Sequence, residues 1–222
     1  MSQTPDVLHW WLDTNATFDD CQRPAELLDA TSLLIRQMGF DCFAHGRRRP
    51  VPFSETRIRF AGTYPSAWLE QVDDPGPLRP GSFLWGGQAP VIGNLHGFGY
   101  ASGATCVTRS GEGDWHLLCV ARHLRSIDAD EGLAVKLQLR SLLELLGEHL
   151  QRVEGSYPAI DLSDRETQVL RWLADGEGSK GIAARLQLSE HTVNFHIKNI
   201  LRKFDSPNRT LAAARAAALG LI

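Results

Sequence analysis

The stretch that decides the fold of the C-terminal part is SEHTVNFHIKNILRKF, residues 189–204. Its apolar residues recur at the spacing of one helix face, and the opposite face carries polar and basic side chains. Ser189 is a typical N-cap residue, and Asp205-Ser206-Pro207 directly after the stretch predicts the end of the helix. The stretch therefore predicts one amphipathic helix over residues 190–204 that leaves a polar face free.

Three further helical segments surround this stretch. Ser163 followed by Glu166 is a capping-box pattern and predicts the start of a helix that ends before Gly176. Ser179 is predicted to cap a short helix, which a tight turn at residues 187–188 joins to the deciding stretch. An alanine-rich helix follows at residues 209–219. The pattern predicts an all-α domain of four helices, two of them arranged as a helix-turn-helix.

A helix-turn-helix places its second helix in the DNA major groove and holds that helix by its core face. The net charge of −3 does not itself indicate a nucleic-acid partner. Residues 161–222, however, hold nine basic and seven acidic residues, a net +2, against −5 for the rest of the chain. We expect the following residues to contact DNA: Ser179, Lys180, Thr192, Asn194, His196, Lys198, Asn199, Arg202 and Lys203. The alternative is the solvated face of a small helical bundle.

The strings LSDRETQVL at 162–170, Ile182-Ala183 and residues 189–204 closely resemble the output domain of LuxR-type regulators. The resemblance covers nearly all of residues 161–222. It implies base contacts by Asn194 and Lys198. The residues that it places on phosphates are Ser179, Lys180, Thr192 and Lys203. It also implies a homodimer that is paired through the last helix on a palindromic operator, with RNA polymerase as a further partner.

One residue departs from the pattern of that family. Gly181 stands where the family usually carries an acidic residue. Glycine inside a helix costs up to about 1 kcal/mol relative to alanine, so we expect a looser scaffold helix there.

The N-terminal part mixes helices and strands. Helices are predicted at 3–18, 24–38 and 131–153, with short strands at 40–45, 56–60, 105–109 and 116–121. This order predicts an α/β sandwich, an antiparallel sheet with flanking helices, so the whole chain is α+β. The leucines of the long helix are expected to face inward: Leu133, Leu137, Leu142, Leu145, Leu146 and Leu150. We place a sensor domain at 1–155, a linker at 156–160 and the helix-turn-helix domain at 161–222.

Three motifs in the N-terminal part resemble the acyl-homoserine-lactone-binding domains of quorum-sensing regulators. They are Tyr64-Pro65-Ser66-Ala67-Trp68, Ser82-Phe83-Leu84-Trp85 and Gly103-Ala104-Thr105. The resemblance implies that the Trp68 indole donates to a lactone carbonyl, that Tyr64 bonds the amide oxygen, and that Trp85 packs on the ligand. Asp73 or Asp74 is the expected acceptor for the amide N–H, with Gly103 and Cys119 completing the ligand site.

The resemblance leaves alternatives open for the ligand site. Trp85 follows Trp68 by only seventeen positions, which is shorter than in the family. A Gly/Pro-rich stretch at 75–103 is interpreted as a pocket wall or lid. The alternative for Tyr64, Trp68 and Trp85 is that they are aromatic residues of the hydrophobic core with no ligand to bind. The function predicted is a ligand-responsive transcription regulator of the quorum-sensing type. The alternative is a ligand-independent antiactivator that forms mixed dimers with a full-length regulator.

Other classes of protein find little support in the sequence. No apolar run of about 18 residues predicts a membrane span. Residues 1–11 lack the pattern of a secretory signal, so we expect a cytoplasmic protein. The four cysteines show no metal-binding spacing, and no nucleophile–base set is visible, so we expect no metal, cofactor or catalytic residue. His45 and His96 are interpreted as surface histidines. Asp73-Asp74 follows a helix-like segment and not an opening strand, which disfavours a phosphoryl-receiver domain.

Overall fold

The computed structural model describes residues 7–54, 57–72, 78–89, 91–110, 113–155 and 160–222. The described residues fall into two compact units. The first holds those of 1–48, 56–110 and 115–156, and the second holds those of 49–55, 111–114 and 157–222. The predicted linker at 156–160 lies almost entirely outside the described residues, so the boundaries drawn around it stay predictions. None of the described helices is long and apolar enough to cross a membrane.

The first unit is an antiparallel sheet with helices, as predicted. In chain order its elements are α1 (Val7–Asp19), α2 (Pro24–Gln37), β1 (Cys42–Arg48), β2 (Arg59–Gly62), α3 (Ser66–Gln71), β3 (Gly81–Gly86), β4 (Ser102–Arg109), β5 (Trp115–Arg122) and α4 (Ala129–Glu154). The described strands form one sheet in the order β2-β1-β5-β4-β3, with every neighbouring pair antiparallel. The α+β class is therefore confirmed.

Both faces of this sheet are apolar. Along β5, Leu118 and Val120 lie in a core shared with α1, α2 and α4. Cys119 and Ala121 alternate with them and lie in a second cluster, on the face away from α4. Because side chains along a strand point alternately to opposite faces, a central strand without polar alternation needs cover on two sides. We call the second face the open face of the sheet.

Helix α4 covers the first face, and its N-cap is Asp128, whose carboxylate accepts from the Glu131 backbone N–H at 2.8 Å. The prediction that Leu133 and Leu137 face inward is wrong, since these side chains are 65% and 51% exposed. Val135 and Leu139 begin the stripe that is buried instead. Residues two positions away from such a stripe lie on the opposite side of a helix with 3.6 residues per turn.

Strand β3 was not predicted, because its residues were assigned to the wall or lid at 75–103. It pairs with β4 so that Trp85 lies opposite Gly103. A Cβ atom at Gly103 would collide with the Val120 carbonyl oxygen and with the Trp85 ring. Glycine is therefore the residue that lets the Trp85 ring lie against the sheet.

A partly buried ion pair fixes the connection from β5 to α4. The Arg122 guanidinium, 5% exposed, donates to both Glu131 carboxylate oxygens at 2.6 and 2.7 Å. It also donates to the backbone carbonyls of Arg125 and Ser126, at 2.9 Å each. The hydrogen bonds from Arg122 lower the pKa of Glu131 below its usual value, despite partial burial. The guanidinium therefore joins the end of the strand to the first turn of the helix.

His45 is not the surface residue that the sequence indicated, whereas His96 is exposed. His45 is 5% exposed on the α4 side of β1, and its Nε2 lies 3.4 Å from Nδ1 of His116. Burial, and then the neighbouring His116, lower the pKa of His45 to about 3, so its ring is neutral at physiological pH.

The described residues of the second unit form four helices, as predicted: α5 (Asp164–Ala174), α6 (Ser179–Leu186), α7 (Glu190–Lys203) and α8 (Arg209–Ala218). The capping box of Ser163 and Glu166 and the N-cap Ser189 are both present. Ser179 is not an N-cap, because α6 begins one residue earlier and its cap is Gly178. The core combines the buried apolar side chains of all four helices.

We expect Glu131→Gln to lower the free energy of unfolding by about 2–3 kcal/mol, because it leaves the buried Arg122 charge without its partner. Glu144→Gln is the matched control, since Glu144 pairs with Arg140 at an exposed i,i+4 position and such pairs contribute about 0.3–0.5 kcal/mol. Urea unfolding of both variants measures the difference. Equal losses would contradict a structural role for the Arg122–Glu131 pair.

Candidate functional site

Helix α7 presents one line of exposed side chains. Val193, Ile197 and Ile200 are buried against the other helices. On the opposite side His191, Phe195, Lys198 and Arg202 follow one another at steps of four, three and four residues, and all are exposed. We call these four residues the α7 ridge. The ridge offers two cations, an imidazole and an aromatic ring to a partner.

The predicted DNA-contacting residues divide by exposure. Those exposed are Lys180, Asn194, Lys198, Arg202 and Lys203, and those half-buried are Ser179, Thr192, His196 and Asn199. The Ser179 hydroxyl donates to the Asn194 side-chain oxygen at 2.7 Å. This bond links the first residue of α6 to the first turn of α7, so the structure brings these two predicted residues together.

Lys203 is the predicted DNA residue whose ammonium already has partners within the unit. It donates to the Glu166 carboxylate at 2.7 Å and to the Asp161 carbonyl at 2.6 Å. Burial tends to raise the pKa of Glu166, but hydrogen bonds from Lys203 and Ser163 outweigh it and the pKa is lowered. Lys203 therefore fastens the end of α7 to the start of α5, and a phosphate contact by Lys203 stays a prediction.

Phe195 is a candidate that the sequence analysis missed. Its side chain is 58% exposed in the middle of the α7 ridge, between Asn194 and Lys198 along the chain. The residues predicted to contact DNA are all polar or basic, although an apolar side chain can also read DNA by contact with the thymine methyl group. The signal was present in the sequence, because Phe195 falls outside the apolar period of Val193, Ile197 and Ile200.

An acidic group does lie beside Gly181, but it comes from another position. The Glu177 carboxylate occupies the space next to the Gly181 Cα, where an added Cβ would meet it. The same carboxylate accepts from Arg185 at 2.6 Å across α6. Glu177 therefore supplies at this place the negative charge that the resemblance leads one to expect from residue 181.

The open face of the first unit gathers the predicted ligand residues. Its buried cluster consists of Cys42, Ala44, Tyr64, Trp68, Trp85, Leu95, Cys119 and Ala121. The Tyr64 and Trp68 rings meet edge to face with centroids 5.0 Å apart. Four predicted ligand residues thus come together: Tyr64 from the turn between β2 and α3, Trp68 from α3, Trp85 from β3 and Cys119 from β5. Asp73 and Asp74 lie outside the described residues.

The polar atoms of this cluster are unevenly satisfied. The Tyr64 hydroxyl donates to the Gly93 carbonyl at 3.0 Å, and the Thr105 hydroxyl donates to the Ile92 carbonyl at 2.5 Å. The Trp85 indole nitrogen is buried, and no acceptor reaches it among the described residues. Burial raises the pKa of Cys119 to about 12, so its thiol is protonated and packs as a small apolar group.

Two family descriptions match the chain. The luxR family of bacterial regulatory proteins matches residues 161–216, and the autoinducer binding domain matches residues 23–79. The HTH-type quorum-sensing regulator RhlR of Pseudomonas aeruginosa is 37% identical, over 97% of this chain and 97% of its own length. The regulatory protein SdiA of Escherichia coli is 29% identical, over 99% of this chain and 100% of its own length.

Solved structures of SdiA are similar across the whole chain. A crystal structure of Escherichia coli SdiA has a TM-score of 0.75 at 28% identity and covers 98% of this chain and 99% of that one. SdiA in complex with octanoyl-rac-glycerol has a TM-score of 0.74 at 28% identity, with 99% and 98% covered.

We expect Lys198→Ala to weaken binding to duplex DNA and to reduce the dependence of the logarithm of affinity on that of salt concentration by about one unit, because one phosphate contact is lost. Thermal stability should not change, since the side chain is exposed. Arg171→Ala removes the same charge from an exposed position on α5 and is the control. Fluorescence anisotropy over a salt series measures both effects. The same loss in the control would argue against a specific contact.

The Glu166–Lys203 pair predicts an acid-sensitive second unit. A carboxyl whose pKa is lowered by folding stabilises the fold above its unfolded pKa of about 4.3, and this contribution is lost as the pH falls through the folded pKa. Lys203→Met should therefore lower the melting temperature at pH 7 and have a smaller effect at pH 3. Thermal unfolding across this range tests it, and a pH-independent difference would contradict the assignment.

Proposed function

This chain belongs to the LuxR-type family of quorum-sensing transcription regulators, and we propose that it controls DNA binding with an N-acyl-homoserine lactone held on the open face of its sensor sheet. Transcription regulation through DNA binding follows from the family, and its relatives are transcription regulators. The lactone, the homodimer, the palindromic operator and the contact residues are the proposal.

One observation carries the ligand proposal. The Trp85 indole N–H is a buried donor without an acceptor in the described part of the chain, and leaving such a group unpaired costs about 1–3 kcal/mol. It lies in the aromatic cluster with Tyr64 and Trp68. A ligand that is mainly apolar and offers carbonyl oxygens would satisfy it, and an acyl-homoserine lactone has an acyl chain, an amide and a lactone carbonyl. SdiA has been solved in complex with octanoyl-rac-glycerol, which also combines an acyl chain with a carbonyl oxygen.

The geometry supports Trp85 rather than Trp68 as the primary donor to a ligand carbonyl. The resemblance gave that role to Trp68 and a packing role to Trp85. Trp85 has the unpaired buried nitrogen, and its ring lies against Gly103 in the register of β3 and β4. The ring is therefore fixed by backbone pairing, which gives a hydrogen bond to a ligand a defined direction.

The second unit supports a dimer on symmetric DNA. Helix α8 buries Ala212, Ala213 and Ala216 and exposes Ala214 and Ala217. Small exposed side chains let two helices approach closely, so we place the pairing of two copies at α8. Two α7 ridges related by a two-fold axis then read half-sites about one DNA turn apart. We further propose that the protein acts in the cytoplasm, where the DNA lies, and that RNA polymerase is a further partner.

The proposed mechanism is a shift between two states of the dimer. A lactone that binds one sensor arrangement more tightly shifts the population toward that arrangement, by no more than its difference in affinity. The dimers in that sensor arrangement are the ones that hold their two DNA-binding units in the geometry that binds DNA. No comparison supports the alternative of a ligand-independent antiactivator in mixed dimers.

We expect at least one acyl-homoserine lactone, in a panel from short to long acyl chains, to raise the melting temperature in a saturable way, because it binds only the folded state. Trp85→Phe keeps an aromatic side chain and removes the N–H donor, which should weaken binding about tenfold by loss of one hydrogen bond. Trp172→Phe, in the second unit, is the control. Differential scanning fluorimetry measures the shifts.

The same proteins should then be tested for binding to duplexes selected by the purified protein from a random pool. A selected palindrome that is bound more tightly with the lactone would support the whole proposal. DNA binding that is identical with and without every lactone would overturn control by a lactone and leave the DNA-binding function in place.

A further inference from the structure

We propose that residues 91–95 form a built-in occupant of the sensor site, which takes the hydroxyl donors of the open face when no ligand is bound. We call these residues the plug. The inference deepens the proposed function and rests on it in one respect only: the ligand that competes with the plug is the proposed lactone.

The plug presents two successive carbonyl groups to the sheet. The Ile92 carbonyl accepts from the Thr105 hydroxyl at 2.5 Å and the Gly93 carbonyl accepts from the Tyr64 hydroxyl at 3.0 Å. Leu95 follows as a fully buried member of the aromatic cluster. An N-acyl-homoserine lactone also has two carbonyls, those of the lactone and the amide, followed by an apolar chain. The plug therefore satisfies the donors that such a ligand would use.

The shape of the plug is held by hydrogen bonds of Asn94, most of them to residues on either side of the plug. The Asn94 side chain donates to the carbonyls of Gly87 and Ala89 at 2.9 and 2.6 Å, and its oxygen accepts from the His96 backbone at 2.8 Å. The Asn94 backbone donates to the Val91 carbonyl at 3.0 Å. These bonds form a compact loop, so the two carbonyls reach the sheet without a regular helix or strand.

Gly93 is the point at which the plug touches the sheet. Its φ is +84°, and an added Cβ would lie 2.6 Å from the Cys119 sulfur, 2.7 Å from the Cys119 Cβ and 3.0 Å from the Thr105 hydroxyl. The first two atoms belong to a short side chain on the central strand, which has no flexible end to move aside. Any larger residue at 93 must therefore lift the plug away from Cys119.

The donors of the open face thus differ in availability. Tyr64 and Thr105 are engaged with the plug, whereas Trp85 has no acceptor in the described residues. The buried Trp85 nitrogen needs an acceptor from the ligand, and the ligand gains the two hydroxyls only when the plug leaves. The apparent affinity for the ligand then equals the affinity of molecules whose plug is out, multiplied by the fraction of such molecules. With the plug in place, the hydroxyls of Tyr64 and Thr105 keep their acceptors when no ligand is present.

The test measures access to Cys119 without any ligand. Gly93→Ala should lift the plug and raise the rate of Cys119 alkylation by N-ethylmaleimide about tenfold or more over wild type, the change that one or two kcal/mol produces. Gly99→Ala is the matched control, because Gly99 has φ +85° and an added Cβ there meets nothing within 4 Å. Mass spectrometry reports each cysteine separately.

Cys106 is the internal control, since it is buried on the other face of the same sheet, beneath α4. A rise at Cys119 with Cys106 unchanged supports the plug. Equal Cys119 rates in the Gly93→Ala and Gly99→Ala proteins would overturn it. If Cys106 and Cys119 both become reactive, the fold has opened, and Tyr64→Phe decides instead, because it removes the donor to the Gly93 carbonyl and adds no bulk. Cys119 that stays unreactive in that protein overturns the proposal.

Because the alkylation needs no lactone, its result does not depend on the proposed ligand. A lactone that binds wild type should bind Gly93→Ala more tightly and Gly99→Ala equally well. If no lactone binds and Cys119 is reactive in Gly93→Ala, the plug proposal is supported and the choice of ligand is overturned. Lactone binding of equal strength in all three proteins would overturn the competition between plug and ligand.

Discussion

Both faces of strand β5 are buried, and the first unit is arranged around the need to cover two sides of one sheet. The side that holds Leu118 and Val120 is covered by α4 with α1 and α2. The side that holds Cys119 is covered by α3, the Trp85 ring and the plug. The first cover is regular helix with few polar groups to satisfy. The second consists largely of irregular chain, whose carbonyl groups need donors at the sheet. The ligand site and the plug both follow from this difference between the two covers.

The second unit solves a simpler problem. Its four helices cover one another, and α7 contributes a buried stripe to that core while its outer side stays free. The ion pair from Lys203 to Glu166 fixes one end of α7, and the Ser179–Asn194 hydrogen bond fixes the other. Phe195, Lys198 and Arg202 of the α7 ridge lie between these two anchors. A rigid helix with a free outer side is what recognition in the major groove requires.

The sequence predicted most of what depends on local pattern. The helices of the second unit, the capping box at Ser163 and the long helix of the first unit follow from periodicity and capping. Tyr64, Trp68, Trp85 and Cys119 come together because the resemblance carried information from a whole fold. Strand β3 and the partners of Lys203 could not be found this way, because both depend on contacts between residues distant in the chain. The plug has neither period nor cap, and its shape depends on the hydroxyls of Tyr64 and Thr105.

The burial of all four cysteines has a consequence for the chemistry to which this regulator responds. Burial raises the pKa of each thiol, to about 11 for Cys42 and about 12 for Cys119. Peroxide and disulfides react with the thiolate form, which is scarce at neutral pH in such sites. We therefore expect the four cysteine thiols to react slowly with peroxide at neutral pH. Peroxide produced by respiration would then not change the response of this regulator to population density.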